Sequence, residues 1–359
     1  MTLPPTIGAF EQRAAQLLDA GPLGYYAGGA GDEITLADNV AAWRRIAVRP
    51  RVMVDVSARD LRTTVLGRRR PHPVIVAPTA FHKLATPEGE VATARAALAV
   101  EATYCLSSLA TTDVTSLAQA APDANRWFQL YVFKDRGVTR HMVQAAVAGG
   151  YEAIVLTVDM PALGIRERDL HSEFIVGHAT GVPHVSETGA SGLLTMPEVV
   201  DLIDPSLTWD DVAALAQESG LPVLVKGVLA PEDARLAVQH GAAGVVVSNH
   251  GGRQLDTVLS GADALPAVVD EIGGEIDVIV DGGIRRGADV LKALAIGAQA
   301  VLVGRPVLWG LAVGGEAGAR RVLELLLAEF DNALALAGVP IAADLSRDTV
   351  QRAPWAAAP

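Results

Sequence analysis

Eight short apolar runs, each followed by a stretch with helical spacing, occupy the chain between residues 73 and 305. The runs are PVIVAPTA (73–80), TYCLSS (103–108), RWFQLY (126–131), AIVLTVD (153–159), PVLVKGV (222–228), GVVVSNH (244–250), DVIVDGG (277–283) and AVLVGR (300–305). Continuous apolar strands that alternate with helices are typical of a parallel sheet covered by helices. Eight such units predict an α/β fold, a closed (β/α)8 or TIM barrel. An open doubly wound sheet is the alternative, but no GxGxxG motif follows the first run.

The length of 359 residues fits one barrel with additions, so we expect a single domain over residues 1–359. Residues 1–45 form an N-terminal helical extension, in which FEQRAAQLL closes the lower end of the barrel or packs alongside it. The stretch GYYAGGAGDE (24–33) is expected to be a glycine-rich turn. Residues 160–207 make a connection too long for an ordinary strand–helix loop, and we expect an active-site loop over the barrel.

The net charge of −12 argues against nucleic acid or an anionic membrane as a partner. No apolar run approaches the length that a bilayer requires, and the N-terminus lacks the basic start of a signal peptide. The single cysteine, Cys105, excludes an internal disulfide and fits a reducing compartment. We therefore expect a cytoplasmic protein that binds neither nucleic acid nor membrane, and the sequence indicates no metal site.

Polar residues follow the apolar bodies of all eight predicted strands. In a barrel of this kind the active site lies at the C-terminal ends of the strands. The residues delivered there include Pro78, Thr79, Ala80, Ser107, Gln129, Tyr131, Thr157, Asp159, Lys226, Ser248, His250, Asp281, Gly283, Gly304 and Arg305. The serines and threonines could simply cap helices. Lys226, His250 and Arg305 converge on one mouth, and they should face an anion because an unpaired buried charge is costly.

The segments DGGIRRG (281–287) and Gly304–Arg305 follow strands seven and eight, where such barrels usually bind phosphate. Tight glycine turns with solvated arginines are the alternative. Flavin mononucleotide (FMN) fits a phosphate at this position with a ring across the mouth. Lys226 would then lie near the part of the ring that becomes negative on reduction. Ser107, Gln129, Thr157 and the backbone near Thr79 offer hydrogen bonds to the ring.

The stretch SNHGGRQLD (248–256) places a histidine, two glycines and an arginine directly after a strand. His250 can act as a base on a substrate above the flavin, and Arg253 offers two parallel donors to a carboxylate. Gly251 and Gly252 would allow ring and substrate to approach the backbone. Asp159 could hold the imidazole and stabilise its protonated form. A base, a carboxylate clamp and an electron acceptor together indicate oxidation of a 2-hydroxy acid to a 2-keto acid. A histidine that merely caps a helix is the alternative.

These motifs resemble the FMN-dependent 2-hydroxy acid oxidase and dehydrogenase family, from about Tyr25 to about residue 335. SNHGGRQLD carries most of the resemblance, and APTA, QLY, LTVD, LVKGV, DGGIRRG and VGRP match in order and spacing. The resemblance implies catalytic roles for His250, Asp159 and Tyr131, and substrate binding by Tyr25, Tyr131, Arg166 and Arg253. It implies FMN binding by Pro78, Thr79, Ala80, Ser107, Gln129, Thr157, Lys226, Ser248, Asp281, Gly283, Arg285, Gly304 and Arg305.

The resemblance also bears on substrate and electron acceptor. Leu109 stands where glycolate oxidase carries tryptophan, so an (S)-2-hydroxy acid larger than glycolate is expected. Ala80 is similar to the oxidase-like variants, which favours O2 as acceptor. A dehydrogenase that reduces a quinone or a protein, and a barrel that binds FMN without turnover, are the alternatives. The 160–207 loop lacks the membrane-binding insert of some relatives, and its His171, His178 and His184 are expected on the surface. A homo-oligomer, tetramer or octamer, is expected.

Overall fold

The computed structural model describes residues 2–172, 175–176, 182–189 and 194–356. The chain begins with three helices, α1 (Ile7–Leu17), α2 (Ala20–Ala27) and α3 (Ile34–Arg44), and three short strands, β1 (Ile46–Val48), β2 (Thr63–Val65) and β3 (Arg68–Arg70). It continues with β4 (Val74–Val76), α4 (Gly89–Leu98), β5 (Thr103–Ser107), α5 (Val114–Ala120), β6 (Arg126–Leu130), α6 (Arg136–Ala148) and β7 (Ile154–Thr157).

The long connection after β7 contains α7 (Glu167–His171), β8 (Ile175–Val176), α8 (Pro183–Glu187), β9 (Leu194–Thr195) and α9 (Met196–Val200). The second half consists of α10 (Asp210–Ser219), β10 (Val223–Val228), α11 (Pro231–Gln239), β11 (Gly244–Val247), α12 (Gly261–Ile272), β12 (Asp277–Val280), α13 (Gly287–Ile296), β13 (Ala300–Val303), α14 (Arg305–Ala337) and β14 (Val350–Arg352).

A closed parallel barrel forms the centre of the molecule, in the order β4-β5-β6-β7-β10-β11-β12-β13 with β13 paired to β4. The predicted (β/α)8 barrel is therefore confirmed. Its interior is filled by side chains such as Cys105, Trp127 and Val246, which are fully buried, while neighbours such as Tyr104 and Phe128 pack outward with the helices. Because both faces of every strand are covered, the strands appear in the sequence as unbroken apolar runs.

The lower end of the barrel is closed by the antiparallel hairpin β2–β3, which no sequence pattern had indicated. Val65 joins the cluster of side chains inside the barrel. Arg68 and Arg70 both form ion pairs with Glu152, just before β7, and so hold the hairpin against the strands. The first helix does not close this end; α1 packs alongside α14.

Two predictions are wrong in part, the turn at residues 24–33 and the surface position of the histidines in the long connection. Tyr25 and Tyr26 lie on α2, not in a turn, because both rings are buried and the Tyr26 hydroxyl donates to the carbonyl of Phe81 at 2.6 Å. In the connection, His184 is buried against Phe128 instead of lying on the surface. His171 is exposed, and His178 lies outside the described residues.

The connection also contains more regular structure than its sequence indicated. Helix α9 begins with a capping box, in which Thr195 and Glu198 satisfy each other's backbone amides, and it buries Met196 and Val199. This packing brings part of the connection onto the barrel. Among the residues that the structure describes, no helix combines the length and the apolarity needed to cross a membrane.

Candidate active site

A single cavity at the C-terminal ends of the strands gathers most of the predicted site residues. Its lining includes Tyr25, Pro78, Thr79, Ala80, Ser107, Tyr131, Arg166, Lys226, His250, Arg253, Asp281, Gly283, Arg285, Gly304 and Arg305. The other predicted site residues lie behind the residues that line the cavity. Gln129 contacts Ser107, Ser248 contacts Lys226, and Asp159 contacts His250 through hydrogen bonds, and Thr157 pairs with Lys226 in the strand register.

His250 is held between an aspartate and a tyrosine. Its Nδ1 lies 2.8 Å from Asp159 Oδ1, and its Nε2 lies 3.3 Å from the Tyr131 hydroxyl oxygen. An ionised carboxylate can only accept, so Nδ1 carries the proton and Nε2 keeps its lone pair toward the cavity. His250 has a φ of +59°, a left-handed conformation that costs energy in a residue other than glycine. Such strain is often found where a side chain must point in a specified direction.

The protonation states around His250 suit a base. Burial lowers the pKa of His250 below its ordinary value, and the opposing charge of Asp159 only partly offsets this. For Asp159, burial alone would raise the pKa, but His250, which is protonated at the low pH where a carboxyl titrates, and Lys226 outweigh burial and lower the pKa. Burial raises the pKa of Tyr131, whose hydroxyl therefore stays protonated. At neutral pH the group is an ionised aspartate, a neutral imidazole and a neutral phenol.

Two arginines bring positive charge to the side of the cavity next to His250. The Arg253 guanidinium lies 4.6 Å from the centre of the Tyr25 ring and donates to the carbonyl of Gly28 at 3.0 Å. Arg166 is buried and donates to the carbonyl of Arg253 at 3.1 Å. Burial, together with the charge of Arg253, lowers the pKa of Arg166 to about 10. This mutual repulsion favours an anion between the two guanidinium groups, and a carboxylate matches their paired donors.

Lys226 lies on β10 in the barrel interior. Its Nζ donates to Ser248 Oγ at 3.0 Å and lies 3.4 Å from Asp281 Oδ2. Burial by itself would lower the pKa of Lys226, but the charges of Asp281 and Asp159 outweigh burial and raise it. The lysine is therefore a fixed cation whose internal partner is Asp281.

The end of the cavity that follows β12 and β13 holds Arg285 and Arg305, and Arg305 donates to the same Gly28 carbonyl as Arg253. Burial lowers the pKa of both, and for Arg305 the neighbouring charges of Arg253 and Arg285 add to the effect. Arg305 donates to the carbonyls of Tyr26, Gly28 and Gly251 at 2.9–3.0 Å. Carbonyl oxygens satisfy its donors but not its charge, so this end favours an anion such as phosphate.

The packing of helix α3 also requires glycines in the stretches SNHGGRQLD and DGGIRRG, beyond the ligand contacts predicted for them. A Cβ on Gly283 would lie 1.8 Å from the carbonyl oxygen of Asn39, and one on Gly252 would lie 2.7 Å from the Leu36 backbone. Both glycines thus make room for α3, in addition to the approach of ring and substrate predicted for Gly252 and the phosphate contact predicted for Gly283. Gly251 differs, because its missing side chain leaves space for the guanidinium of Arg305.

Three buried polar atoms test whether FMN fits. Gln129 Nε2, Thr157 Oγ1 and Asp281 Oδ1 have no hydrogen-bond partner within the described part of the chain. Buried polar groups are rarely left unsatisfied, so such atoms indicate a missing partner. The edge of a flavin ring carries acceptors and an N–H that an amide and a hydroxyl would bind, and the hydroxyl groups of FMN could donate to a carboxylate. With the arginine pair at the phosphate end, the donor set fits FMN.

A (β/α)8 barrel with a half-buried base, paired arginines and this donor set defines a flavin-dependent oxidoreductase. Comparison with known proteins agrees: a family model described as FMN-dependent dehydrogenase matches residues 14–352, and the chain belongs to this family. It is 48% identical over 349 residues to an L-lactate oxidase of Nostoc sp., covering 93% of this chain and 94% of that protein. It is 46% identical over 352 residues to a glycolate oxidase of Spinacia oleracea, and the match covers 96% of this chain and 95% of that protein.

Solved structures give the same result. A mandelate oxidase bound to (S)-4-hydroxymandelic acid superposes with a TM-score of 0.90 at 39% identity, covering 96% of this chain and 98% of that one. The resemblance inferred from the motifs and the FMN cofactor are therefore confirmed, and the family match extends beyond the range that the motifs indicated. The roles of individual site residues stay predictions.

Sequence reasoning missed several apolar residues of the cavity. Met160 and Met196 line it together with Leu109, and all three are buried. Met196 lies on α9, far along the chain from the strand ends, so reading the strand ends could not find it. The capping box at Thr195 was the one available signal for a helix at this point.

Proposed function

We propose that the protein oxidises an (S)-2-hydroxy acid to the 2-keto acid and transfers the electrons to O2, which yields H2O2. The observation that carries the proposal is the neutral imidazole of His250, held by Asp159 beside the buried Arg166 and the half-buried Arg253. The curated relatives named L-lactate oxidase and glycolate oxidase support the choice of substrate class and acceptor.

The arginines orient the substrate. Arg166 and Arg253 bind its carboxylate, and the hydroxyls of Tyr25 and Tyr131 contact its oxygens. The repulsion between the two guanidinium groups is relieved when the carboxylate lies between them, so binding fixes the substrate carbon near His250. FMN, when bound by the residues described above, supplies the two-electron acceptor.

His250 takes the proton. Its Nε2 accepts the proton of the substrate hydroxyl if the α-hydrogen leaves as hydride, or the α-proton if that leaves first, and the imidazole can serve either route. Asp159, ionised at 2.8 Å from Nδ1, stabilises the imidazolium that forms. The Tyr131 hydroxyl lies next to the same nitrogen and can donate to the substrate oxygen while the base is occupied.

The apolar end of the cavity sets the size of the substrate. Leu109, Met160 and Met196 surround it, and none of them is as bulky as tryptophan. We propose that an aliphatic or aromatic side chain larger than that of glycolate binds there.

We further propose that the protein is a cytoplasmic homo-oligomer, a tetramer or octamer. Light scattering would measure its mass.

An aerobic assay over a panel of (S)-2-hydroxy acids from glycolate to mandelate tests the proposal. The expected result is one keto acid and one H2O2 formed per O2 consumed. Turnover that requires an added quinone or a protein acceptor would instead support the dehydrogenase alternative. An FMN-containing protein that oxidises no member of the panel with either acceptor would contradict the proposal.

A further inference from the structure

Gly227 interrupts strand β10 directly after Lys226. Its φ is +113°, and the register with β11 shifts between Lys226 and Val228, so the residue forms a β-bulge. Bulges often re-aim side chains next to active sites. Here the bulge belongs to the strand that carries the buried lysine, and it faces the segment that carries Asp159.

The bulge leaves no space for a side chain. A Cβ on Gly227 would lie 2.6 Å from Asp159 Cβ, 2.7 Å from its Cγ and 3.0 Å from its backbone nitrogen. Two of these distances are shorter than real Cβ contacts allow, so any side chain at this position must displace Asp159.

Asp159 has little freedom to retreat. Its carbonyl accepts from Gln254 Nε2 at 2.9 Å, and the amide of the preceding Val158 donates to the carbonyl of Lys226 at 2.9 Å. Its carboxylate reaches His250 through Oδ1 alone, and Oδ2 has no hydrogen-bond partner among the described residues. One hydrogen bond therefore carries the whole contact between the carboxylate and the base.

We propose that Gly227 is a positioning residue, whose bulge lets Asp159 approach the barrel closely and thereby sets the hydrogen bond between Asp159 and His250. The proposal rests on the proposed function insofar as His250 acts as the base. Gly227 itself touches neither substrate nor base, and it acts only through the position of Asp159.

Gly227→Ala tests the proposal, with Gly220→Ala as the matched control. Gly220 precedes the same strand with a φ of +64°, and a Cβ there would meet nothing within 4 Å, so its alanine variant has backbone strain without the clash. We expect Gly227→Ala to lower kcat by about 10- to 100-fold, a part of what a positioned base contributes. Gly220→Ala should keep kcat within about twofold. In an Asp159→Ala background, Gly227→Ala should lower kcat no further, because no carboxylate is left to misplace.

A second readout does not depend on turnover. NMR titration of histidine-labelled protein, with the His250 signal assigned from His250→Gln, should show His250 titrating at lower pH in Gly227→Ala, since the charge of Asp159 raises its pKa. If no hydroxy acid is oxidised by the wild type, the proposed function fails while this titration still tests the role of Gly227. If Gly227→Ala does not fold, adding Asp159→Gly removes the clashing side-chain atoms and should restore folding.

Three results would overturn the proposal. The first is a Gly227→Ala variant whose kcat and His250 titration match the wild type. The second is a kcat of the double variant with Asp159→Ala that falls by the product of the two single losses. The third is an unfolded Gly227→Ala variant whose folding Asp159→Gly does not restore.

Discussion

The ammonium of Lys226 lies 3.4 Å from the carboxylate of Asp281, and both residues are buried at the mouth of the barrel. Lys226 lies on β10 and Asp281 directly follows β12, and β11 separates the two strands, so the pair spans one strand of the barrel wall. Because Asp281 keeps Lys226 protonated, the lysine provides a permanent positive charge beside the proposed FMN site.

Lys226→Met removes this charge and should make FMN harder to reduce. We expect a lower flavin reduction potential and loss of affinity for sulfite, whose binding leaves negative charge near the ring. The lone carboxylate of Asp281 should also destabilise the variant by about 3–5 kcal/mol, as when one partner of a buried ion pair is removed. Potentiometry and thermal unfolding measure the two effects. In Lys226→Met combined with Asp281→Asn, stability should recover, whereas the potential should stay below that of the wild type because no cation is left at this position.

The pH dependence of kcat/KM should show an acidic limb that belongs to His250. The base must be neutral to accept a proton, so kcat/KM falls as pH drops through its pKa, and burial places that pKa below the ordinary histidine value. Asp159→Asn removes a charge that raises this pKa, so the limb should move to lower pH while the maximal rate falls. A limb that stays in place in Asp159→Asn would show that another group controls it.

Arg253→Lys should raise KM strongly and lower kcat. An ammonium cannot make the planar two-point contact with a carboxylate, and it cannot stack on Tyr25 as the guanidinium does at 4.6 Å. Steady-state kinetics with the best hydroxy acid of the panel measure the change. Arg68→Lys, at the lower end of the barrel, is the matched control and should leave both constants unchanged. Normal constants in Arg253→Lys would mean that the carboxylate is held elsewhere.

Leu109 should limit substrate size. It is buried and lines the apolar end of the cavity, and each additional CH2 that fits there contributes about 0.8 kcal/mol. We expect kcat/KM to rise from glycolate to lactate and on to longer or aromatic (S)-2-hydroxy acids. Leu109→Trp should shift the preference toward glycolate, and Leu109→Met, which conserves volume, should not. If glycolate is the best substrate of the wild type, Leu109 does not set the limit.

The barrel could be predicted from the sequence because its strands are buried on both faces. Each apolar run coincides with a strand, and each strand end delivers its polar residue to one side, so Lys226, His250 and Arg305 could be placed together before any coordinates. The hairpin β2–β3 was missed, because the run RRR at 68–70 resembles a solvated loop until Glu152, the partner of Arg68 and Arg70, is known.

The remaining errors share one cause, which is tertiary contact that local sequence does not carry. Glycines beside Tyr25 and Tyr26 disfavour a helix, yet burial of the two rings stabilises α2. His184 is polar, yet it packs on Phe128. The second requirement on Gly283 and Gly252, space for α3, could not be predicted for the same reason, and their link to ligand approach stays a prediction.

His250→Ala bears on the central claim, that His250 removes a substrate proton while FMN accepts the electrons. The variant should retain FMN, since the residues proposed to contact the ring and the phosphate do not include His250. It should lose about 10²–10⁴-fold in turnover, the usual contribution of a positioned base. The flavin absorbance of the purified variant checks that the cofactor is retained.

The most direct measurement is the rate at which an (S)-2-hydroxy acid bleaches the flavin absorbance without oxygen, in the wild type and in His250→Ala. We predict rapid bleaching of the wild type, slower bleaching of the variant by the same 10²–10⁴-fold factor, and return of the absorbance when air is admitted. Bleaching at equal rates in both proteins, or a wild type that no hydroxy acid of the panel bleaches, would contradict the account.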